Sequence, residues 1–148
     1  MSRPDPTAQP LGRSTRLALV GWAVALVALL GVARWLQPDP KGFGTHTQLG
    51  LWPCAFRATT GRPCPTCGMT TAFAWFTRGE WGQSWRANPA GFLLVPTCIA
   101  LIPWTVAVAA RGRAFGSRTL ETPLIYLAVA TVALTVISWS VRLVIGGR

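Results

Sequence analysis

Three long apolar stretches, separated by segments rich in glycine, proline and arginine, constrain this chain more than any other feature of its sequence. The first covers 17–33 (LALVGWAVALVALLGVA), carries no charge and has an arginine on each side. A bilayer core asks for roughly 17–25 helical residues, so this stretch is long enough to cross. It exceeds the apolar region of a cleaved signal, about 7–15 residues, and it runs into Arg34 and Trp35 instead of a small-residue cleavage site. The second stretch, 90–110, follows Asn88 and Pro89, an N-cap acceptor and then proline at the first helical position. Pro96 and Pro103 lie inside it, and each removes a backbone donor, which predicts a kinked helix. The third, 123–145, starts with Thr122 as cap and Pro123 in the first turn. Arg142 near its end is read as snorkelling to the membrane surface.

Composition supports a membrane protein. Charged residues make up 12% of the chain, against roughly 25% in a soluble domain, so lipid has to cover part of its surface. The net charge of +10 comes from 14 basic and 4 acidic residues. Those basic residues stand at the margins of the apolar stretches (Arg13, Arg16, Arg34, Arg86, Arg111, Arg113, Arg118, Arg142, Arg148), which suits lipid head groups and argues against nucleic acid as a partner. Eight tryptophans accompany a single tyrosine. Trp35, Trp81, Trp85 and Trp104 fall near the expected span ends, where an apolar ring with one N–H donor is at home. Trp22 and Trp139 fall inside spans and read as packing residues.

The expected fold is an all-α membrane protein with three transmembrane helices. A polar tail occupies 1–16, a long cysteine-bearing loop 34–89 and a basic loop 111–122. The tail is proline-bearing and reads as disordered. Within the long loop, 37–50 reads as irregular, and a short helix is expected over about 65–76, with Met69, Ala72, Phe73 and Phe76 at helical spacing. That helix is apolar on nearly every face, so it should be interfacial or re-entrant. By a narrow margin the basic residues put the N-terminus in the cytoplasm and the cysteine loop outside.

The chemistry is confined to cysteine. Cys98, mid-span between two prolines, reads as a small buried hydrophobe. Cys54, Cys64 and Cys67 lie close together in the loop, and three arrangements remain open for them. In the first, Cys64-Pro65-Thr66-Cys67-Gly68 is a tight turn aiming two thiolates at zinc, with Cys54 and His46, the sole histidine, completing four ligands. In the second, Cys64 and Cys67 are a redox pair. A thiol beside the positive end of a helix is favoured as the thiolate nucleophile, and the expected helix start puts Cys64 in that place, with Cys54 as resolving partner. In the third, Cys54 pairs with Cys64 or Cys67 in a disulfide closing about ten residues, worth roughly 3 kcal/mol on an oxidising side of the membrane. No paired carboxylates, nucleophile elbow, phosphate loop or H-E-x-x-H accompanies them.

The motif Cys54, then Cys64-Pro-Thr-Cys-Gly-Met-Thr-Thr-Ala, then Arg-Ala-Asn88-Pro89, resembles the DUF2752 family of small bacterial membrane proteins of unknown function, over 51–104. The resemblance implies a bacterial cytoplasmic (inner) membrane and a signature made of Cys54, Cys64, Cys67, Gly68, Thr70, Asn88 and Pro89. Members of the family carry Thr-Arg where this chain has Thr70 and Thr71, so a role for that arginine does not transfer. The functional expectation is a non-enzymatic accessory or partner-binding module in the membrane, its loop held by disulfide or metal. A membrane thiol–disulfide oxidoreductase using Cys64 and Cys67 and a zinc-binding membrane protein are the alternatives. A transporter or channel is disfavoured by the near absence of charge inside the spans.

Overall fold

The computed structural model describes residues 11–112 and 121–145, with side chains from 125 to 144 in the second segment. Residues 1–10 and most of the basic loop lie outside this description, and the last helix begins at Glu121, which puts Thr122 in its first turn with Pro123 and not at the cap. Everything regular among the described residues is helical: α1 Arg13–Trp35, a single 3-10 turn Thr45–Leu49, α2 Ala55–Thr60, α3 Met69–Phe76, α4 Trp81–Ala87, α5 Pro89–Arg111 and α6 Glu121–Ile145. Three of these are long and apolar enough to cross a membrane. No more than 28% of the apolar window of any of them is buried within the protein, so their remaining surface needs lipid.

The long helices outrun the apolar stretches. α1 begins at Arg13 instead of 17, because arginine is a good helix former whose charge stays wet while its stem continues the helix. α5 starts where proline is tolerated, and the Asn88 side chain accepts the Gly91 N–H at 3.1 Å. It continues as one helix through Pro96 and Pro103.

α1 and α5 form the central pair. Leu19, Ala23, Leu26, Leu30 and Ala33 recur at alternating steps of four and three and make the covered stripe of α1. Gly91, Val95, Cys98, Ile102, Thr105 and Ala109 do the same on α5. Alanine on both stripes lets the backbones approach. The helices run antiparallel. The Leu11 N–H donates to the Gly112 carbonyl at 2.8 Å, and Arg16 donates to the carbonyls of Ala109 at 2.7 Å and Ala110 at 3.2 Å, capping the end of α5. Trp22, expected to pack, is exposed on the outer face of α1, where lipid is its natural neighbour. Cys98 is buried with Leu26, Ala33, Phe73 and Val95.

The other end of this pair carries the loop. α3 crosses it, touching α5 at Gly91 and α1 at Ala33, whose carbonyl accepts from Arg78 at 3.3 Å. The Arg78 guanidinium is held below its usual pKa range, chiefly by loss of water and then by the nearby Arg34 charge. α4 returns beside α3, with the buried Ser84 hydroxyl donating to the Ala72 carbonyl at 2.8 Å. Phe76, Trp85 and Phe92 weld α3, α4 and α5 edge to face, at 5.3 Å (Phe76–Phe92) and 5.5 Å (Trp85–Phe92) between centroids. Among the helices, α6 packs against α5.

A methyl group at Gly91 would lie 2.9 Å from the Ala72 Cβ, so α3 and α5 meet only because residue 91 has no side chain. Gly91→Val should therefore lower the thermal midpoint of the purified protein by a loss of about 1–3 kcal/mol. Gly21→Ala, where nothing lies within 4 Å, is the control that leaves the midpoint where it is or raises it. Equal midpoints for Gly91→Val and the unmodified protein would contradict this packing.

Candidate functional site: a thiol-lined cavity

The cysteine turn is built from two overlapping hydrogen-bonded turns. The Cys67 N–H donates to the Cys64 carbonyl and the Met69 N–H to the Thr66 carbonyl, both at 3.0 Å. Pro65 occupies the second position of the first turn, where its fixed φ fits. Gly68 has φ 84°, and a Cβ there would stand 2.5 Å from the Ala87 carbonyl oxygen and 2.6 Å from that of Gly42. Only glycine meets both demands. The positive φ also stops the helix, so α3 begins at Met69 and not near 65. Cys64 is therefore not at the helix start, and Cys67 is the residue just before the cap.

The turn's backbone is tied down from three directions. Arg142 on α6 donates through Nη1 to the Cys67 carbonyl at 2.9 Å and the Ala87 carbonyl at 3.4 Å, and through Nη2 to the Pro65 carbonyl at 3.2 Å. The Trp139 indole N–H, one turn earlier on α6, donates to the Pro63 carbonyl at 2.8 Å. Asn88, fully buried, donates to the Cys67 carbonyl at 3.0 Å while capping α5 with its other amide atom. The expectation that Arg142 snorkels is thus corrected: the guanidinium turns inward, because its planar fork of donors finds more partners on the turn than at the surface. Trp139 is likewise a donor to the loop and not merely a packing residue.

This leaves the thiols facing a common space. A cavity of about 240 Å³ is lined by His46, Cys54, Cys64, Cys67 and the first turn of α3, Gly68 to Thr71. His46, Cys54, Cys64, Cys67, Gly68 and Thr70 are thereby brought together, whereas Asn88 and Pro89 stand behind the turn as its support. None of the cysteines is in a disulfide, and Cys98 lies apart in the core. The Arg57 guanidinium stacks on the Phe43 ring at 3.6 Å, with Nη1 4.0 Å from the Cys67 sulfur. Thr45, buried in the 3-10 turn, shares a 2.8 Å hydrogen bond with Thr71 and fixes the His46 segment to α3.

The donor set matches what zinc asks for in kind, three sulfurs and one imidazole. In geometry it does not: among the described residues no three histidine, cysteine or acidic side chains stand close enough to hold one ion. Cys64 and Cys67 are better matched to each other. A hydrogen-bonded turn keeps its end Cα atoms within about 7 Å, at the upper edge of the roughly 4.4–6.8 Å that a disulfide spans.

A family model described as a protein of unknown function (DUF2752) matches residues 54–102, which covers Cys54, the Cys64–Cys67 turn, α3, α4 and the first part of α5. Neither the curated proteins nor the solved structures give a match to the chain.

Arg142 predicts a measurable dependence of the thiols on α6. Arg142→Gln should raise the alkylation rate of reduced Cys64 and Cys67 by at least several-fold, because the turn loses its shared donor. Arg142→Lys should recover part of the difference, since a lysine keeps the charge but not the fork. Trp139→Phe should cost about 1 kcal/mol of stability. Rates in both Arg142 variants equal to that of the unmodified protein, followed by mass spectrometry of the labelled thiols, would overturn the clamp.

Proposed function

Taking the chain's membership of the DUF2752 family as premise, we propose that it is an integral membrane module for thiol–disulfide exchange with a partner protein, with Cys64 and Cys67 as the exchanging pair and Cys54 as the third thiol of the site. One observation carries this reading. Three thiols line one cavity while the backbone around them is held by Arg142, Asn88, Trp139 and Gly68, so the loop does not need its sulfurs as a staple. Sulfurs free of a structural duty are free to react. A stapling disulfide and a resident zinc ion are both less well supported, the first by this redundancy and the second by the spread of the ligands.

The exchange balances simply. With Cys64 and Cys67 joined, a partner thiolate attacks one of their sulfurs, a mixed disulfide forms and the other cysteine leaves as thiolate. A second partner thiolate attacks the mixed disulfide, so the partner departs with a disulfide and the module keeps two thiols. The module gains the two electrons that the partner loses. α3 is interfacial in this reading: it crosses the end of the α1–α5 pair, and the thiol cavity beside it is open to soluble segments of a partner.

Orientation follows from the chemistry. The first residues of α1 and the end of α5 share one face, and the cysteine turn and Arg142 share the other. Exchange of this kind operates on an oxidising side, so the N-terminus is in the cytoplasm and the cavity faces outward from a bacterial inner membrane. An impermeant maleimide added to reduced intact cells should label the loop cysteines; labelling only after permeabilisation would reverse the orientation.

Two results test the activity. Thiol–disulfide exchange is reversible, so in Cys64→Ser or Cys67→Ser the remaining thiolate should open a partner disulfide and stay joined to it, visible as mixed disulfides in non-reducing gels. The second module sulfur that would release the partner is gone in each, and the double variant should accumulate none. No mixed disulfide in either single variant would sink the proposal. Stoichiometric zinc in the purified protein, lost with either substitution, would replace it with the metal reading.

A further inference from the structure

A second cavity adjoins the first and differs from it in character. It encloses about 340 Å³, in the range of small-molecule sites, and its wall is made by Leu29, Val32, Leu36, Leu49, Phe73 and Leu94 among others. Its few polar lining residues, His46 and Thr70, lie with Met69 on the wall it shares with the thiol cavity. Leu29 and Val32 are exposed residues of the membrane-spanning α1, so the cavity is reached from the lipid. Only a lipid-soluble molecule arrives by that route, and it arrives with one end beside the thiols.

The thiol reading, on which this inference rests, leaves a need unmet. After each exchange the Cys64–Cys67 pair is reduced and must lose two electrons and two protons before acting again. The geometry points to a quinone as the occupant of the apolar cavity: the class of lipid-soluble carrier that accepts two electrons and two protons in one ring. Two S–H bonds break and one S–S bond forms between Cys64 and Cys67. The electron pair and both protons go to the quinone, whose carbonyl oxygens become the hydroxyls of a hydroquinone. His46, the chain's sole imidazole and part of both linings, is placed to pass a proton between them. A lipid acyl chain would fill the same space but accepts no electrons, which is why the shared wall with the thiols decides for the quinone.

The test uses the full-length reduced protein in lipid nanodiscs with decylubiquinone as probe and diamide, which needs no apolar site, as the comparison oxidant. With decylubiquinone, one hydroquinone should form for every two thiols lost, and the disulfide should map to Cys64 and Cys67. Val32→Trp or Leu49→Trp, which fill the cavity from positions with room at the surface, should lower the rate with decylubiquinone at least tenfold relative to the rate with diamide. An unchanged ratio in both variants, or thiols consumed as covalent quinone adducts, overturns the quinone site and leaves the exchange site standing. Failure of diamide to join Cys64 to Cys67 in the unmodified protein overturns the exchange reading and the quinone site with it.

Discussion

One guanidinium near the end of the last span holds the loop to the membrane part of the molecule. Arg142 reaches the carbonyls of Pro65, Cys67 and Ala87, and so ties α6 to the cysteine turn and to the end of α4. An arginine at this depth is expensive unless its donors are satisfied, and bare turn carbonyls are expensive away from water. Each group is the answer to the other's cost. Asn88 meets the same Cys67 carbonyl from α5, so the third span and the second converge on one peptide unit. Gly68 permits that convergence by leaving room for the Ala87 and Gly42 carbonyls.

This arrangement separates support from reactivity. The backbone of the turn carries the contacts with α5 and α6, while the sulfurs of Cys64 and Cys67 touch only Thr66 and Arg57 of the loop itself and open onto the cavity with Cys54 and His46. Rigid backbone with free side chains is what a reactive pair wants, since the geometry survives a change in the redox state of the sulfurs. The neighbouring apolar cavity shares His46, Met69 and Thr70 with the thiol cavity and faces lipid. A site between a wet cavity and a greasy one suits chemistry that links a protein partner to a membrane-soluble carrier.

How much of this was legible in the sequence differs by element. The three spans were, because bilayer thickness and backbone satisfaction leave few alternatives for such stretches. The capping of α5 by Asn88 was as well, since Asn-Pro is a local signal that needs no tertiary partner. The start of α3 was misplaced, because the spacing of Met69, Ala72, Phe73 and Phe76 shows periodicity but not the positive φ at Gly68 that cuts it short. Arg142 and Trp139 were undervalued. Their role depends on carbonyls more than seventy residues away in sequence, and only the general rule that an ionisable group inside a span seeks a partner pointed there. The convergence of His46 with the cysteines was proposed for metal, and the structure brings the same residues to one cavity without ligand geometry.

The central claim is that the loop thiols share one cavity, and a trivalent arsenical tests it most directly because it must bridge neighbouring sulfurs to stay bound. Reduced protein treated with phenylarsine oxide should retain one arsenic per chain by intact mass and lose two of its alkylatable thiols, with Cys98 unchanged. Retention of no arsenic, with Cys54, Cys64 and Cys67 all still open to alkylation, would show that the sulfurs stand apart and would contradict the site as described.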